Sequence, residues 1–225
     1  MTLDTQSPNR RGRKGFTLVE LLTVIAVVSI LMTAGAIGLK NLSSGKSVGS
    51  AVTQAEAMFH FARQAAVANN TSSRVLIAKS LAGSGARHSD DLRRILVAIY
   101  DTETSQWELT DRGEFLPQDV FFSQEFSRTA EGTAIQSESN ITGLSAAFSG
   151  EFFFYEFNSE GISTTPGAGF VVGSGVWAPN DTTQPRVGRR GERDFGGFVV
   201  WRNGRTSLYR SPAQIPSMPS TVTTF

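Results

Sequence analysis

Between Lys14 and Leu39 the sequence reads KGFTLVELLTVIAVVSILMTAGAIGL, and Glu20 is the only charged residue after Lys14. As an α-helix, residues 16–39 would be about 36 Å long, more than the roughly 30 Å of a bilayer's hydrocarbon core. A basic cluster comes immediately before this segment, formed by Arg10, Arg11, Arg13 and Lys14. Such clusters hold the adjoining end of a membrane helix in the cytoplasm. We therefore predict one transmembrane helix, with a cytoplasmic N-terminus and the remaining chain outside the membrane.

The string from Lys14 to Leu22 closely resembles the cleavage and methylation motif of type IV prepilins and type II secretion pseudopilins. The resemblance implies that a prepilin peptidase cuts between Gly15 and Phe16 and then methylates the amino group of Phe16. It also implies that Glu20 pairs with the free amine of a neighbouring subunit during assembly in the bacterial inner membrane. The implied partners are other pilins or pseudopilins, the peptidase and an inner-membrane assembly platform, and the implied location of the β-rich domain is periplasmic.

The chemistry of Glu20 agrees with this role. A cut after Gly15 leaves an ammonium group at the membrane interface, about one helical turn before the Glu20 carboxylate. The helix macrodipole favours a carboxylate in the first turn. An acid within the membrane costs up to a few kcal/mol and usually has a partner. An incoming subunit's amine would neutralise this carboxylate.

Two other interpretations of the N-terminal segment stay open. One is an ordinary secretory signal peptide, because Ala34-Gly35-Ala36 offers a small-x-small cleavage pattern after an apolar run. Glu20 argues against it, since the apolar region of such signals is usually uninterrupted. The other is a plain signal anchor with no role in assembly. The mature N-terminus distinguishes the three interpretations: methylated Phe16 for a prepilin, Ile37 for a secretory signal, and Met1 or Thr2 for a plain anchor.

An apolar stripe at helical spacing follows the membrane segment and consists of Val48, Val52, Ala55, Phe59, Ala62 and Ala66. Asn69-Asn70-Thr71 is predicted to end this helix. Asn41–Gly45 is predicted to interrupt it, after weakening at Gly35 and Gly38. Eight strands are predicted beyond it: Arg74–Lys79, Arg94–Tyr100, Gln106–Thr110, Val120–Ser123, Glu151–Phe157, Gly169–Gly173, Phe198–Trp201 and Arg205–Tyr209. The predicted fold class is therefore α+β, a long N-terminal hydrophobic helix packed on an antiparallel sheet or two-sheet domain.

The chain resembles the minor pseudopilin H subfamily, which includes minor pilins of the FimT type, beyond its first forty residues. The resemblance lies in an Ala62-Arg63 pair on the helix, a short strand after it, and the Asn203-Gly204 turn of a closing hairpin. We divide the chain into a leader (1–15), a membrane and assembly helix (16–39), its periplasmic continuation (40–70), a β-rich domain (71–210) and an extended tail (211–225). Mobile loops are predicted at Leu81–Asp91, Thr129–Ala146 and Ala178–Asp194.

Composition and motifs argue against catalysis. The chain has no cysteine, which excludes disulfides, thiolate metal sites and cysteine nucleophiles. Its net charge is +1, and removal of residues 1–15 leaves it near −2, so no broad attraction to nucleic acid is expected. The two histidines, His60 and His88, lack a convergent third group in the sequence. We predict neither enzyme activity, nor a metal, nor a cofactor.

Several groups have residue types found in ligand sites, and we predict structural roles for them instead. Asp90-Asp91 and Asp101–Glu103 lack the alternating oxygen ligands of a calcium loop. Gly167–Gly173 is predicted to be a strand, because its spacing does not match a nucleotide-binding motif. The alternative function is a membrane-tethered binding module for glycan or DNA, which needs an exposed aromatic or basic patch. The arginines of Arg186–Arg193 could form a basic patch, but we predict a solvated loop with local ion pairs there. We predict that Trp107, Trp177 and Trp201 lie in the core or on a sheet face.

Overall fold

The computed structural model describes residues 18–82, 88–110, 113–177, 185–187, 194–216 and 218. The chain divides into two compact units, residues 1–42 and 43–225. Helix α1 spans Leu18–Asn69. Asn70 follows it in the left-handed conformation (φ 49°). The Thr71 N–H bonds to the Ala66 carbonyl and the Asn70 N–H to the Val67 carbonyl, which is a Schellman motif that ends the helix as predicted.

The predicted interruption at Asn41–Gly45 is wrong, because these residues are helical. Each interior glycine costs a helix about 1 kcal/mol relative to alanine. Ending one helix and starting another requires a new nucleus with a statistical weight near 10⁻³, which corresponds to about 4 kcal/mol. Gly35, Gly38 and Gly45 together do not exceed that cost, so continuing the helix is favoured.

Eleven strands are assigned within the described residues: β1 Ser73–Leu81, β2 Arg94–Asp101, β3 Gln106–Leu109, β4 Glu114–Phe115, β5 Val120–Phe122, β6 Ser137–Ser139, β7 Gly150–Phe157, β8 Ala168–Val176, β9 Arg186–Val187, β10 Phe195–Val200 and β11 Thr206–Leu208. All eight predicted strands are confirmed, with small shifts at their ends. Strands β4, β6 and β9 were not predicted. Short 3₁₀ helices lie at His88–Asp90, Ala146–Phe148 and Pro212–Gln214.

The strands form two antiparallel sheets, which confirms the α+β class. The first sheet has the order β3-β2-β1-β7-β6, with β4 paired to the start of β2. The second has the order β11-β10-β8-β5, with β9 paired to the end of β8. The turn at Asn203-Gly204 closes the β10–β11 hairpin as predicted, with Gly204 at a φ of 69°.

The main core joins the second half of α1 to both sheets. Every member of the predicted apolar stripe is buried, with Val52 the most exposed at 7%. Phe59 lies at the centre, in edge-to-face contact with four aromatic rings at centroid distances from 4.9 to 6.4 Å: Tyr155, Phe157, Phe170 and Phe198. Alanines above and below Phe59 let the strands approach the helix closely.

A second, smaller core covers the opposite face of the first sheet. It includes Leu76 of β1, Leu96 of β2 and Phe152 of β7, all fully buried. Ile141 closes it from the segment after β6, together with the partly buried side chains of Leu144 and Phe148. The first sheet is therefore buried on both faces, which explains why β1 contains the unbroken apolar run Val75–Ala78.

Two loop predictions need correction. Thr129–Ala146 was predicted to be a mobile loop, yet it contains β6 and buries Ile135 and Ile141 at 6% and 4% exposure. The tail from Ser211 was predicted to be extended, yet it begins with a 3₁₀ turn that places Ile215 in the main core at 3% exposure. In both segments, isolated isoleucines in polar sequence bury apolar area that a periodicity criterion does not detect.

Replacing Gly49 by alanine is expected to raise the free energy of unfolding by about 0.5–1 kcal/mol. Gly49 is exposed within α1, and an added Cβ meets no atom within 4 Å. Chemical denaturation followed by circular dichroism measures the change. Gly197→Ala is the matched control and should destabilise the fold, because its Cβ would collide with the backbone carbonyl oxygen of Phe170. A loss of stability in Gly49→Ala would contradict an exposed helical Gly49.

Candidate functional site

The first turns of α1 expose apolar side chains on all sides. Ten large apolar residues between positions 18 and 32 are 41–76% exposed: Leu18, Val19, Leu21, Leu22, Val24, Ile25, Val27, Val28, Leu31 and Met32. We call residues 18–32 the apolar helix segment. An exposed apolar surface of this extent marks a site of contact with protein or lipid. A helix that is apolar all round is normally covered all round.

Glu20 is the one acidic residue of the apolar helix segment, and it lies in the first turn of α1 as predicted. Its side chain is exposed. The hydroxyl of Thr23 donates a 2.9 Å hydrogen bond to the backbone carbonyl of Glu20, one turn earlier in the helix. Because Glu20 is in the first turn, its carboxylate lies at the N-terminal end of α1, where the helix dipole favours negative charge.

The other predicted processing residues lie outside the described residues. These are Gly15, Phe16 and the basic cluster of Arg10, Arg11, Arg13 and Lys14. The proposed cleavage and methylation therefore stay predictions from the sequence. Within the described residues, no helix combines the length and the mean hydropathy needed to cross a bilayer.

Arg63 of the predicted Ala62-Arg63 pair ties α1 to two turns of the β domain. Its Nε donates a 3.3 Å hydrogen bond to the carbonyl of Gly161. The turn before β11 lies against this side chain, and it requires glycine because Gly204 has a φ of 69° and an added Cβ would lie 2.5 Å from the Gly161 carbonyl oxygen. The Ser73 hydroxyl donates a 2.7 Å bond to the carbonyl of Ala62. The pair thus fixes the end of α1 to the start of β1 and to both turns.

The predicted acidic candidates have local structural partners. The buried Asp91 accepts a 3.0 Å bond from the Leu81 N–H. Asp101 accepts bonds from the Thr104 hydroxyl and the Glu103 N–H, and these bonds lower the pKa of its carboxyl group. Within the described residues, no three histidine, aspartate or glutamate side chains converge to hold a metal ion.

His60 is exposed on α1, and its Nε2 lies 3.5 Å from the Thr206 hydroxyl. His88 begins a 3₁₀ helix, and its side chain is outside the described set. Gly167–Gly173 forms the turn before β8 and most of that strand, and therefore the prediction of a glycine-rich strand is confirmed. Arg186 lies exposed in β9, while Arg189, Arg190 and Arg193 fall outside the described residues.

The three tryptophans occupy different environments. Trp107 is buried in the second core, and the guanidinium carbon of Arg74 lies over its ring, 4.2 Å from the ring centroid. Trp177 packs against the main core, with its ring 6.0 Å from that of Phe121. Trp201 is 49% exposed beside the β10–β11 turn. The predicted core or sheet-face position is confirmed for Trp107 and Trp177 but not for the exposed Trp201. The adjacent Arg202-Asn203-Gly204 turn indicates in the sequence that Trp201 lies at a hairpin end.

Comparisons with known proteins identify a family motif at the N-terminus. A model of the prokaryotic N-terminal methylation motif matches residues 10–36. No curated protein matches the chain. Among solved structures, the crystal structure of the type IV minor pilin FimU from Pseudomonas aeruginosa (strain PAO1) is similar, with 12% sequence identity and a TM-score of 0.43. The similarity covers 76% of this chain and 94% of FimU. The match of the motif model to residues 10–36 confirms the resemblance at Lys14–Leu22, and this chain carries the prokaryotic N-terminal methylation motif.

Proposed function

We propose that this chain is a structural subunit, a minor pilin or minor pseudopilin, of a type IV pilus-like or type II secretion filament, and that it is not an enzyme. The observation that carries the proposal is the methylation motif at residues 10–36, which overlaps the exposed apolar helix segment. A motif for N-terminal processing joined to an uncovered apolar helix is expected of a subunit that is stored in lipid and later packed against its neighbours.

In this proposal, residues 16–39 hold the unassembled subunit in the inner membrane, with the basic cluster on the cytoplasmic side. Prepilin peptidase removes residues 1–15 and methylates Phe16. The β-rich domain lies outside the cytoplasm and stays attached through the buried stripe of α1. During assembly, neighbouring apolar helices replace lipid around the apolar helix segment, so its side chains stay away from water in both states.

Glu20 supplies the register of assembly in this scheme. The amine of an incoming Phe16 is positively charged and costly to place in an apolar environment without a partner. A Glu20 carboxylate at the matching height offsets that cost, so the subunit adds at one axial position. The assembly energy comes from other components of the machinery.

The mature N-terminus tests this proposal. We expect intact-mass and peptide mass spectrometry of the chain, expressed in cells with a prepilin peptidase, to show N-methylated Phe16. Gly15→Leu is the control and should remain uncut, because glycine permits the close approach of the peptidase to the backbone. A mature N-terminus at Ile37 would show a secretory signal, and one at Met1 or Thr2 a plain anchor; either result would refute the proposal. Neighbouring genes for a secretin, an assembly ATPase and other prepilins would support the filament-subunit class.

A further inference from the structure

Strand β11 forms an edge of the second sheet, and its register decides which backbone groups face outward. Cross-strand bonds run from the Trp201 N–H to the Arg205 carbonyl and from the Tyr209 N–H to the Gly197 carbonyl. Bonded and non-bonded pairs alternate along an antiparallel ladder. The N–H and C=O groups of Thr206 and Leu208 therefore point away from β10, and the Leu208 residue is 52% exposed.

Neighbouring segments cover the sheet edges at β3 and β5, whereas this stretch of β11 is open within the described residues. The Trp107 N–H of β3 donates to the Thr142 carbonyl at 2.9 Å, and the Phe122 N–H of β5 donates to the Leu92 carbonyl at 2.7 Å. Among the described residues, the outward backbone groups of Thr206 and Leu208 have no such partner. An open edge of this kind can accept a further strand.

The charge around β11 is positive. Residues 195–216 contain three exposed arginines, Arg202, Arg205 and Arg210, and no carboxylate. One carboxylate faces the strand from α1, where Glu56 accepts a hydrogen bond from the Thr206 hydroxyl. The remaining excess of positive charge repels a second copy of β11 and favours an acidic strand.

An apolar depression lies at the turn end of the same hairpin. It has a volume of about 550 Å³ and is lined by Ile162, Trp201, Arg202 and Asn203. The Trp201 indole N–H donates a 2.8 Å bond to the Ser207 hydroxyl, which fixes the ring against the outer face of β11. An extended partner running along β11 would reach this depression with one apolar side chain.

We propose that β11 binds an extended, acidic segment of a partner protein by adding it to the second sheet as a further strand. The backbone groups of Thr206 and Leu208 bond to the added strand, and the exposed arginines select its charge. Trp201 receives one of its apolar side chains. This inference goes beyond the filament role, since a chain left uncut at Gly15 would still bind the segment.

A peptide-binding experiment tests the proposal on the full chain in detergent micelles. The probe is a fluorescent peptide of about ten residues that alternates glutamate with valine and contains one leucine, a pattern that suits one face of a strand. We expect saturable binding by fluorescence anisotropy. Two N-methylated peptides provide the sharpest test: blocking the N–H groups on one edge should abolish binding, while blocking those on the other edge should leave it.

Variants of the chain test the same geometry. Leu208→Pro removes an outward N–H and should weaken binding at least about tenfold, whereas Leu208→Thr keeps that N–H and should bind within about threefold of the wild type. The double variant Arg205→Glu, Arg210→Glu should lose the glutamate peptide and gain a lysine peptide of the same pattern. Equal binding of both N-methylated peptides would overturn the proposal without relying on any variant to fold. The proposal would also be overturned if a single-stranded DNA oligonucleotide bound to the arginines instead of the peptide, with the same affinity for the wild type and for Leu208→Pro.

Discussion

Replacing Phe59 by alanine is expected to lower the free energy of unfolding by about 3–5 kcal/mol. Phe59 has no exposed surface, and its ring makes edge-to-face contacts with aromatic rings from both sheets. Its removal leaves a cavity where α1, β7, β8 and β10 meet, and rigid aromatic neighbours collapse poorly into such a space. Guanidinium denaturation followed by near-ultraviolet circular dichroism measures the loss.

Phe61→Ala provides a matched control on the same helix, because Phe61 is 44% exposed. It removes the same atoms from α1 and should cost less than about 1 kcal/mol. Equal effects of the two substitutions would show that the aromatic cluster is not the junction of the helix and the sheets. A loss of stability in Phe61→Ala but not in Phe59→Ala would show that α1 packs against the sheets through the face that contains Phe61.

Replacing Glu20 by alanine is expected to leave cleavage at Gly15 intact while filament incorporation falls at least about tenfold, the loss corresponding to 1.4 kcal/mol or more. The reason is that the incoming amine then enters an apolar environment without a carboxylate to neutralise it. Quantitative immunoblotting of sheared filaments against membrane fractions measures incorporation, and mass spectrometry measures cleavage in the same cells.

Glu20→Gln and Glu20→Asp separate charge from shape. Glutamine has nearly the same size as glutamate, and we expect Glu20→Gln to assemble as poorly as alanine. Aspartate keeps the charge on a shorter side chain, so Glu20→Asp should retain part of the incorporation. Normal incorporation of Glu20→Gln would rule out the charge-pairing mechanism, even if the chain is correctly cleaved.

Much of the fold could be predicted from local patterns. The three- and four-residue spacing from Val48 to Ala66 predicted the buried face of α1, because one face of a helix repeats at that interval. The eight predicted strands were found because β-branched and aromatic residues cluster between turn residues. The sequence did not predict β6 or the burial of Ile141 and Ile215, since a single apolar residue in a polar segment has no period. Which strands pair, and which face each segment covers, depends on contacts distant in the sequence.

The candidate functional residues also include some that local sequence patterns predict and some that they do not. The N-terminal motif was found from the sequence because its residue types lie next to one another, with Glu20 five residues after Gly15. The open edge at β11 was not, because it depends on the register between β10 and β11 and on the loops that cover other edges. Arg63 lies between these cases: the sequence contains the Ala62-Arg63 pair of the resembled subfamily, but the contact of Arg63 with the Gly161 and Gly204 turns depends on the folded chain.

The burial of the first sheet on both faces also affects how the sequence can vary. In a sheet with one solvent-exposed face, every second position of a strand can accept polar residues. The sequence of such a strand can change while its buried face is kept. Strand β1 has no such free positions between Val75 and Ala78. Variation is therefore directed to the rims of the domain, where the turns, the short edge strand and the arginines lie. Proteins with this layered fold can therefore change which partners they contact by changing residues at the rims, while the buried interior stays the same.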